Sequence, residues 1–494
     1  MAVFVIVGGG VAGLGAGIFT AKEGHRAIVV EKNVTPGGNL TGWRRGAYTI
    51  DNCVHWLIGT KPGDATEALW REVGVLDGED GVRRLPLLFT VDGGGESLSL
   101  FRDFEKTERA MLSLSPEDRE ETLRFCHAVR ALMRFFRLSD TGRGTDVLRA
   151  IPSLARYFFL SAGELSERFF HPLLRRFMTG LVGRDFGALA FLFTVAHFYG
   201  GNADLPSGGS LGAAGRMADR FLSLGGELRT GSAVERVLTL GGEAYGVRLS
   251  DGEEIAADAV ILAADPACVF GKILDAPMPR ALSARYRNPT FRRFSSTGCA
   301  FACPLAALPF SGDFVLTLPR RGESHEVGDG RLVLREFTHE PSFAPKGETV
   351  ITTMRFFYED GCRYFLDLAE DKDAYRKEKV RMLKDTEGDI VDRFPSLSGK
   401  LRPLDAWTPA TYRTFTGAPL GTYMSFLLPP GRIPHALAPR VPGFGNLYLA
   451  TQWQSPPGGL PTALSAGKRA ADLACKDAAR AKHFGIYRRK VATL

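Results

Sequence analysis

An α/β fold is predicted by three features of the first thirty-one of 494 residues. Val3, Phe4, Val5, Ile6 and Val7 form an unbroken apolar run, as a parallel strand buried on both faces requires. Gly8-Gly9-Gly10-Val11-Ala12-Gly13 follows and opens a helical stretch that runs to about Glu23 before Gly24. A second apolar run, Ala27 to Val30, then closes on Glu31. Strand, glycine turn, helix, strand and acid in this order predict a Rossmann-like dinucleotide-binding unit. Gly8 permits the tight turn, Gly10 lets backbone approach a pyrophosphate, and Gly13 lets the helix lie against the strand. Val11 and Ala12, at the start of that helix, present free N–H groups and the positive dipole end to the phosphates. Glu31 stands where an acid takes a ribose hydroxyl pair, so an unphosphorylated adenosine ribose is expected.

The next residues, Thr35-Pro36-Gly37-Gly38-Asn39-Leu40-Thr41-Gly42, resemble the extension that flavoproteins of the amine oxidase and phytoene desaturase superfamily carry after the ribose-binding acid. Near the other end, Gly445 to Trp453 followed by Pro456-Pro457-Gly458-Gly459-Leu460-Pro461 resembles the C-terminal signature of the carotenoid desaturase, carotenoid isomerase and retinol saturase group. Two departures stand out: Asn39 where an arginine is common, and Thr451 where the family has glycine.

The resemblance implies an α/β fold with a Rossmann-like FAD-binding domain (GR2 type) and a second, α+β substrate domain. The FAD-binding domain is expected to be discontinuous, over 1–75, 200–285 and 435–494. The substrate domain would take 76–199 and 286–434. The resemblance also implies that Gly37, Gly38 and Asn39 lie on the FAD pyrophosphate and Val234 on its adenine. Lys32, Ala264, Trp453, Gly459, Leu460 and Pro461 complete the implied cofactor contacts. The Gly459-Leu460-Pro461 turn would aim a helix start at the flavin, where negative charge develops at N1 and the C2 carbonyl on reduction. No His or Cys sits in a recognisable flavin-attachment motif, so FAD is expected to be non-covalent.

Along the rest of the chain, Asp64 to Leu76 reads as a short amphipathic helix, and Leu85 to Phe101 as strands around Asp92-Gly93-Gly94-Gly95. Residues 102–200 read as mostly helical, with Ser115 as an N-cap before Pro116. Between Arg124 and Asp185 lie eleven Arg and no Lys against five acids, a local excess of +6 in a chain of net charge +7. Phenylalanines are interleaved with those arginines. Two readings stand: a basic, aromatic lid lying on a membrane interface, or ordinary core with a solvated basic face. At Asp204 to Leu211 a Pro-x-Gly-Gly turn leads into a helix read as Gly212 to Leu224, and short strands follow to Asp265. Residues 280–434 read as strands with one helix from about Asp371 to Asp392, rich in aromatics and suited to a large apolar cavity.

Seven scattered cysteines without a CxxC pair fit reduced thiols, and no metal site is expected. The apolar N-terminus lacks a preceding basic residue, so it does not read as a signal peptide, and no run of eighteen apolar residues suggests a span. The expected location is cytoplasmic, with peripheral contact at the cytoplasmic membrane face on the first of the two readings of the Arg/Phe segment.

His55, in Asp51-Asn52-Cys53-Val54-His55-Trp56, is the catalytic candidate, because imidazole titrates near neutrality. His197, Tyr199, Tyr412 and Tyr423 are weaker candidates of the same kind. No second dinucleotide motif appears, so electrons are expected to pass to or from a quinone, oxygen or a protein. A nucleic-acid partner is not expected. The reaction implied is hydride transfer between flavin N5 and a carbon of a hydrophobic polyene or isoprenoid-like substrate, giving desaturation, saturation or isomerisation. Amine oxidation and non-redox binding of prenyl or lipid groups share the fold and are the alternatives.

Overall fold

The computed structural model describes residues 1–78, 81–139, 145–318 and 330–483. Part of the arginine-rich segment, 140–144, and the last residues, 484–494, lie outside them.

Five parallel strands form the first sheet, in the order Glu227–Arg229, Arg26–Val30, Val3–Val7, Ala259–Leu262 and Leu447–Leu449. The sequence reason is the unbroken apolar runs, which bury alternate side chains on opposite faces. Phe4, Ile6, Val29 and Ile261 pack under the helices Val11–Lys22, Gly209–Ser223 and Leu460–His483. Val5, Val7, Val30 and Leu262 face the antiparallel sheet Val234–Leu240, Glu243–Leu249 and Glu254–Ala256. Two glycines let the first and last helices approach. A Cβ on Gly467 would stand 2.3 Å from the Ala12 carbonyl oxygen, and one on Gly15 2.9 Å from the Leu464 side chain.

The second sheet is mixed, with seven strands. It runs Arg402–Trp407, Phe294–Pro304, Glu348–Tyr358, Arg331–Glu336, Asp313–Thr317, Leu87–Asp92 and Ser97–Phe101. Alternation again divides its faces: Val315 and Val333 pack with Phe125, Phe177 and Phe191 of the helices, whereas Phe314, Leu332 and Leu334 pack with Ile390 of the helix Lys372–Arg393.

Several local expectations need correction. Ser115 does not cap a backbone N–H; its hydroxyl donates to Asp118 Oδ2 at 2.8 Å, and Asp118 accepts the N–H groups of Phe170 and His171. The helix after the Pro-x-Gly-Gly turn starts at Gly209, three residues early, because Gly208 and Gly209 both take positive φ. Beside Arg280–Arg287, residues 280–434 hold two further helices that a strand reading misses, Glu359–Leu368 and Pro409–Thr416. The second begins with Thr408 and Thr411 in a reciprocal cap around Pro409, a signal present in the sequence.

The aromatics of the Arg/Phe segment divide between core and surface. Phe125, Tyr157, Phe169 and Phe177 are core, whereas Phe159 and Phe170 are 73% and 71% exposed. No helix among the described residues is long and apolar enough to cross a membrane.

Candidate active site

A single cavity of about 1120 Å³ runs from the C-terminal edge of the parallel sheet to the large mixed sheet. Sixteen of the predicted residues line it: Gly8, Gly10, Val11, Ala12, Glu31 and Lys32; Gly37, Gly38, Asn39 and His55; Val234, Ala264, Trp453, Gly459, Leu460 and Pro461. Gly13, which its spacing predicts to let the helix lie against the strand, does not. A Cβ there would stand 1.8 Å from the Gly8 carbonyl oxygen, so its role is to seat the helix on the strand.

The glycine turn separates two reasons for being glycine. Gly8 has φ +105° and a Cβ would meet the Ala263 carbonyl oxygen at 2.9 Å. Gly10 has ordinary φ, and its nearest neighbour would be Gly38 Cα at 3.7 Å, an ordinary contact. Nothing in the protein forbids a side chain at Gly10; the space belongs to whatever lies on the turn. Gly37, with φ +122°, donates its N–H to the Gly9 carbonyl at 2.8 Å, which ties the Gly37-Gly38 extension to the phosphate turn.

Glu31 is held on both carboxylate oxygens. Its Oε2 accepts the Gly9 N–H at 2.7 Å, and its Oε1 accepts the Asn33 N–H at 2.9 Å and side-chain amide at 2.7 Å. Asn33 also donates to the Phe415 carbonyl, and Lys32 Nζ to that of Thr414, so the helix Pro409–Thr416 closes over this end. Burial lowers the Lys32 pKa, against the pull of Glu31 and Cys268. Burial likewise pushes Asp265 up to about 6, although it accepts the Ala267 N–H and the Tyr286 hydroxyl.

At the other end of the glycine frame, Gly458 and Gly459 turn the chain into the last helix with φ +84° and +88°. The Gly459 N–H is already taken by Gln452 Oε1 at 2.8 Å. Gln452 donates in turn to the Tyr423 carbonyl at 3.1 Å, as does Asn39. The Tyr423 ring packs against Tyr412 at 5.5 Å, and the Tyr412 hydroxyl donates to Asn52 Oδ1 at 3.1 Å. This chain of contacts joins the helix start to the Asn52–His55 stretch. That stretch is anchored from below by Asp51, which accepts the Ser210 N–H and hydroxyl at 2.6 Å each.

His55 lies at the junction with the apolar wing. Its Nδ1 is 2.7 Å from Asp313 Oδ2, and Asp313 is 3.3 Å from the Nε of Arg335. Arg335 also donates to the Val54 and His55 carbonyls. Burial pushes the Asp313 carboxyl upward, but Arg335 and His55 outweigh it and hold the pKa below the usual value. The wing beyond is lined by Phe89, Phe193, Phe294, Val315, Met354 and Phe356, among others.

Of the weaker candidates, Tyr412 and Tyr423 line the cavity, and His197 and Tyr199 do not. His197 is 3.3 Å from the Asn202 side-chain amide, and burial lowers its pKa to about 4. Sequence reasoning missed Asp313, Arg335 and the Phe415–Ala418 loop as parts of this site. The loop was findable from the Thr408-Pro409 cap. The ion pair was not, because its members lie more than 250 residues from His55.

These features fit FAD: an acid at the ribose position, a turn with room that only a ligand would use, and a helix start at each end. The volume slightly exceeds the roughly 300–1,000 Å³ of a pocket for one drug-sized molecule. It leaves space for a substrate beside a cofactor.

Comparison with known proteins agrees. The family model described as flavin containing amine oxidoreductase matches residues 11–475. The neurosporene-forming phytoene desaturase of Rhodobacter capsulatus is 25% identical, over 95% of this chain and 93% of its own. The phytoene dehydrogenase of Streptomyces griseus is 27% identical, over 95% and 94%. The chloroplastic prolycopene isomerase 2 of an Oncidium hybrid is 24% identical, over 85% and 74%. Among solved structures, an oxidoreductase from Methanosarcina mazei superposes with TM-score 0.60 at 18% identity, covering 94% of this chain and 98% of that one. A putrescine oxidase does so with TM-score 0.59 at 15% identity, covering 97% and 99%. The chain therefore belongs to the flavin-containing amine oxidoreductase family, and its cofactor is FAD.

Proposed function

We propose that this protein desaturates, saturates or isomerises carbon–carbon bonds of a long apolar polyene or isoprenoid-like substrate. The observation that carries this reading is the shape of the cavity: a glycine-framed nucleotide end continuous with a wing lined largely by Phe, Val, Leu and Met. Bound FAD supplies hydride transfer at N5. The protein's own part is to hold the adenosine through Glu31, to position the flavin end against Gly458–Pro461, and to exclude water from the wing. The relatives named as phytoene desaturases and a prolycopene isomerase support the same substrate class.

Amine oxidation is the weaker reading, because an ammonium group needs a free carboxylate or an open aromatic cage. The acids lining the cavity are Glu31 at the ribose end, Asp265 bonded to Tyr286, and Asp313, already paired with Arg335 and His55. Tyr412 and Tyr423 meet at 38°, and the Tyr412 hydroxyl is tied to Asn52.

In a series without oxygen, the photoreduced holoenzyme is expected to be reoxidised by conjugated polyenes, or the oxidised holoenzyme bleached by carotenoids or retinoids. Primary amines are expected to do neither. Bleaching by amines alone, followed at the oxidised flavin band, would remove the polyene assignment.

The same reading accounts for the cavity mouth. Ile151, Phe159 and Ile433 all line the cavity, yet are 51%, 73% and 76% exposed. The loop that carries Ile433 is tied to the helix Thr145–Phe158 by the Gly431 N–H, which donates to the Phe158 carbonyl at 2.7 Å. We propose that this rim, with Arg432 beside it, rests on an anionic lipid surface from which an apolar substrate enters. Vesicles containing anionic lipid are expected to sediment the protein at low salt, and Phe159→Asp with Ile433→Asp to abolish this while FAD stays bound. Sedimentation that the double variant leaves unchanged would locate the contact elsewhere.

A further inference from the structure

We propose that His55 is the acid–base group of the reaction, its Nε2 exchanging a proton with the carbon next to the one that exchanges hydride. The inference rests on the carbon–carbon reading above and goes beyond it in assigning the proton.

The geometry has three parts. First, the ring is oriented: Nδ1 is engaged by Asp313 Oδ2 at 2.7 Å, so the other nitrogen is the one left to serve the cavity that His55 lines. No residue among those described takes a hydrogen bond from Nε2, and the side chain retains 21% exposure. Second, the orienting carboxylate is itself fixed. Asp313 is 6% exposed and Arg335 5%, and the Arg335 guanidinium spans Asp313 and the carbonyls of Val54 and His55. The acid cannot swing away, and the backbone under His55 cannot shift without breaking a buried ion pair. Third, the surrounding cavity wall is apolar, so a proton carrier here has little competition. Arg331, which also lines the cavity, is committed to the Thr179 and Gly180 carbonyls.

The step balances. In the saturating direction one alkene carbon would take the hydride that reduced FAD supplies, and the π electron pair would take the Nε2 proton at the neighbouring carbon. The alkene is reduced by two electrons, the flavin is oxidised, and His55 is left neutral with Nδ1 still on Asp313. Desaturation moves the same atoms in reverse, with His55 as the base.

The charged and titratable groups around His55 are its partner Asp313 on one strand, Arg335 on the next and His339, both of which act on Asp313, and Asp51 and Cys53 on its own stretch.

The test uses holoenzyme, a reactive polyene from the anaerobic series, and the variants His55→Ala and His55→Gln. Both should retain FAD and its visible spectrum, yet transfer hydride about 10²–10⁴-fold more slowly. Added imidazole should restore His55→Ala toward wild type but not His55→Gln, whose side chain fills the space. Any pH limb of the wild-type rate that His55 carries should vanish in both variants, and His339→Gln should keep it. Wild-type rates in His55→Ala would overturn the assignment. So would a slow rate with FAD bound that imidazole leaves unchanged, which would make His55 a cavity-shaping residue. If the wild type reacts with no polyene, the carbon–carbon reading falls and this one with it; if it reacts and His55→Ala reacts equally, only this one falls.

Discussion

Gly13→Ala is expected to leave no folded protein, whereas Gly10→Ala, three residues earlier, is expected to fold normally and lose FAD. At Gly13 the new methyl would stand 1.8 Å from the Gly8 carbonyl oxygen and 3.2 Å from Ala263 Cβ. Both neighbours belong to the parallel sheet or its turn, and no side-chain rotation relieves a backbone clash. Relief requires lifting the first helix from Val3–Val7, which uncovers Leu14 and Ile18, both 0% exposed. The cost should exceed about 4 kcal/mol, a large part of the roughly 5–15 kcal/mol that holds a domain together. At Gly10 the nearest atom to a new methyl is 3.7 Å away, so the apoprotein tolerates it. The methyl occupies the space against which a pyrophosphate would lie, and affinity for FAD should fall about 10–100-fold, or about 1.4–2.8 kcal/mol. Soluble yield, thermal unfolding by circular dichroism and flavin content after reconstitution separate the two outcomes. Equal flavin content in Gly10→Ala and wild type would show that the turn is not the phosphate seat.

Arg335→Met is expected to destabilise the protein by about 3–5 kcal/mol at neutral pH, because it leaves the buried Asp313 carboxylate with His55 alone. The pH dependence gives the cause away. In the wild type the folded pKa of Asp313 lies below its ordinary value, so the pair contributes stability above that value and loses it on acidification. Without Arg335, burial dominates and the folded pKa rises above the unfolded one, so stability is then lost as pH rises between them. The gap between variant and wild type should therefore be widest near pH 7 and narrow toward pH 4. Denaturant unfolding at the two pH values measures it. A gap that stays constant would mean that Arg335 acts through packing and its bonds to Val54 and His55 instead of through Asp313.

These two sites differ in how they could be known beforehand. Gly8, Gly10, Gly13 and Glu31 announce themselves within one strand–helix–strand unit, since the turn, the close approach and the ribose acid are all local demands on backbone and spacing. The same holds for Gly37-Gly38 and for the helix start at Gly459-Leu460-Pro461. The burial of Phe125, Phe169 and Phe177 against the exposure of Phe159 and Phe170 could not be read in this way. All five sit among arginines in a stretch whose sequence reads as helical, and only docking on the strands Leu87–Asp92 and Arg331–Glu336 decides which of them are covered.

The sequence by itself therefore determined the cofactor, the parallel order of the strands around the phosphate turn, and the candidacy of His55. Tertiary structure alone decided what His55 is attached to. Asp313 lies 258 residues further on, and the carbonyls of Val54 and His55 are held by an arginine 281 and 280 residues away. Tyr412 reaches Asn52 across 360 residues. Local demands such as positive φ, a missing Cβ or an apolar period leave a mark at fixed short spacing. A charge pair formed between distant strands leaves none, because either partner taken alone looks like any other polar residue in a strand.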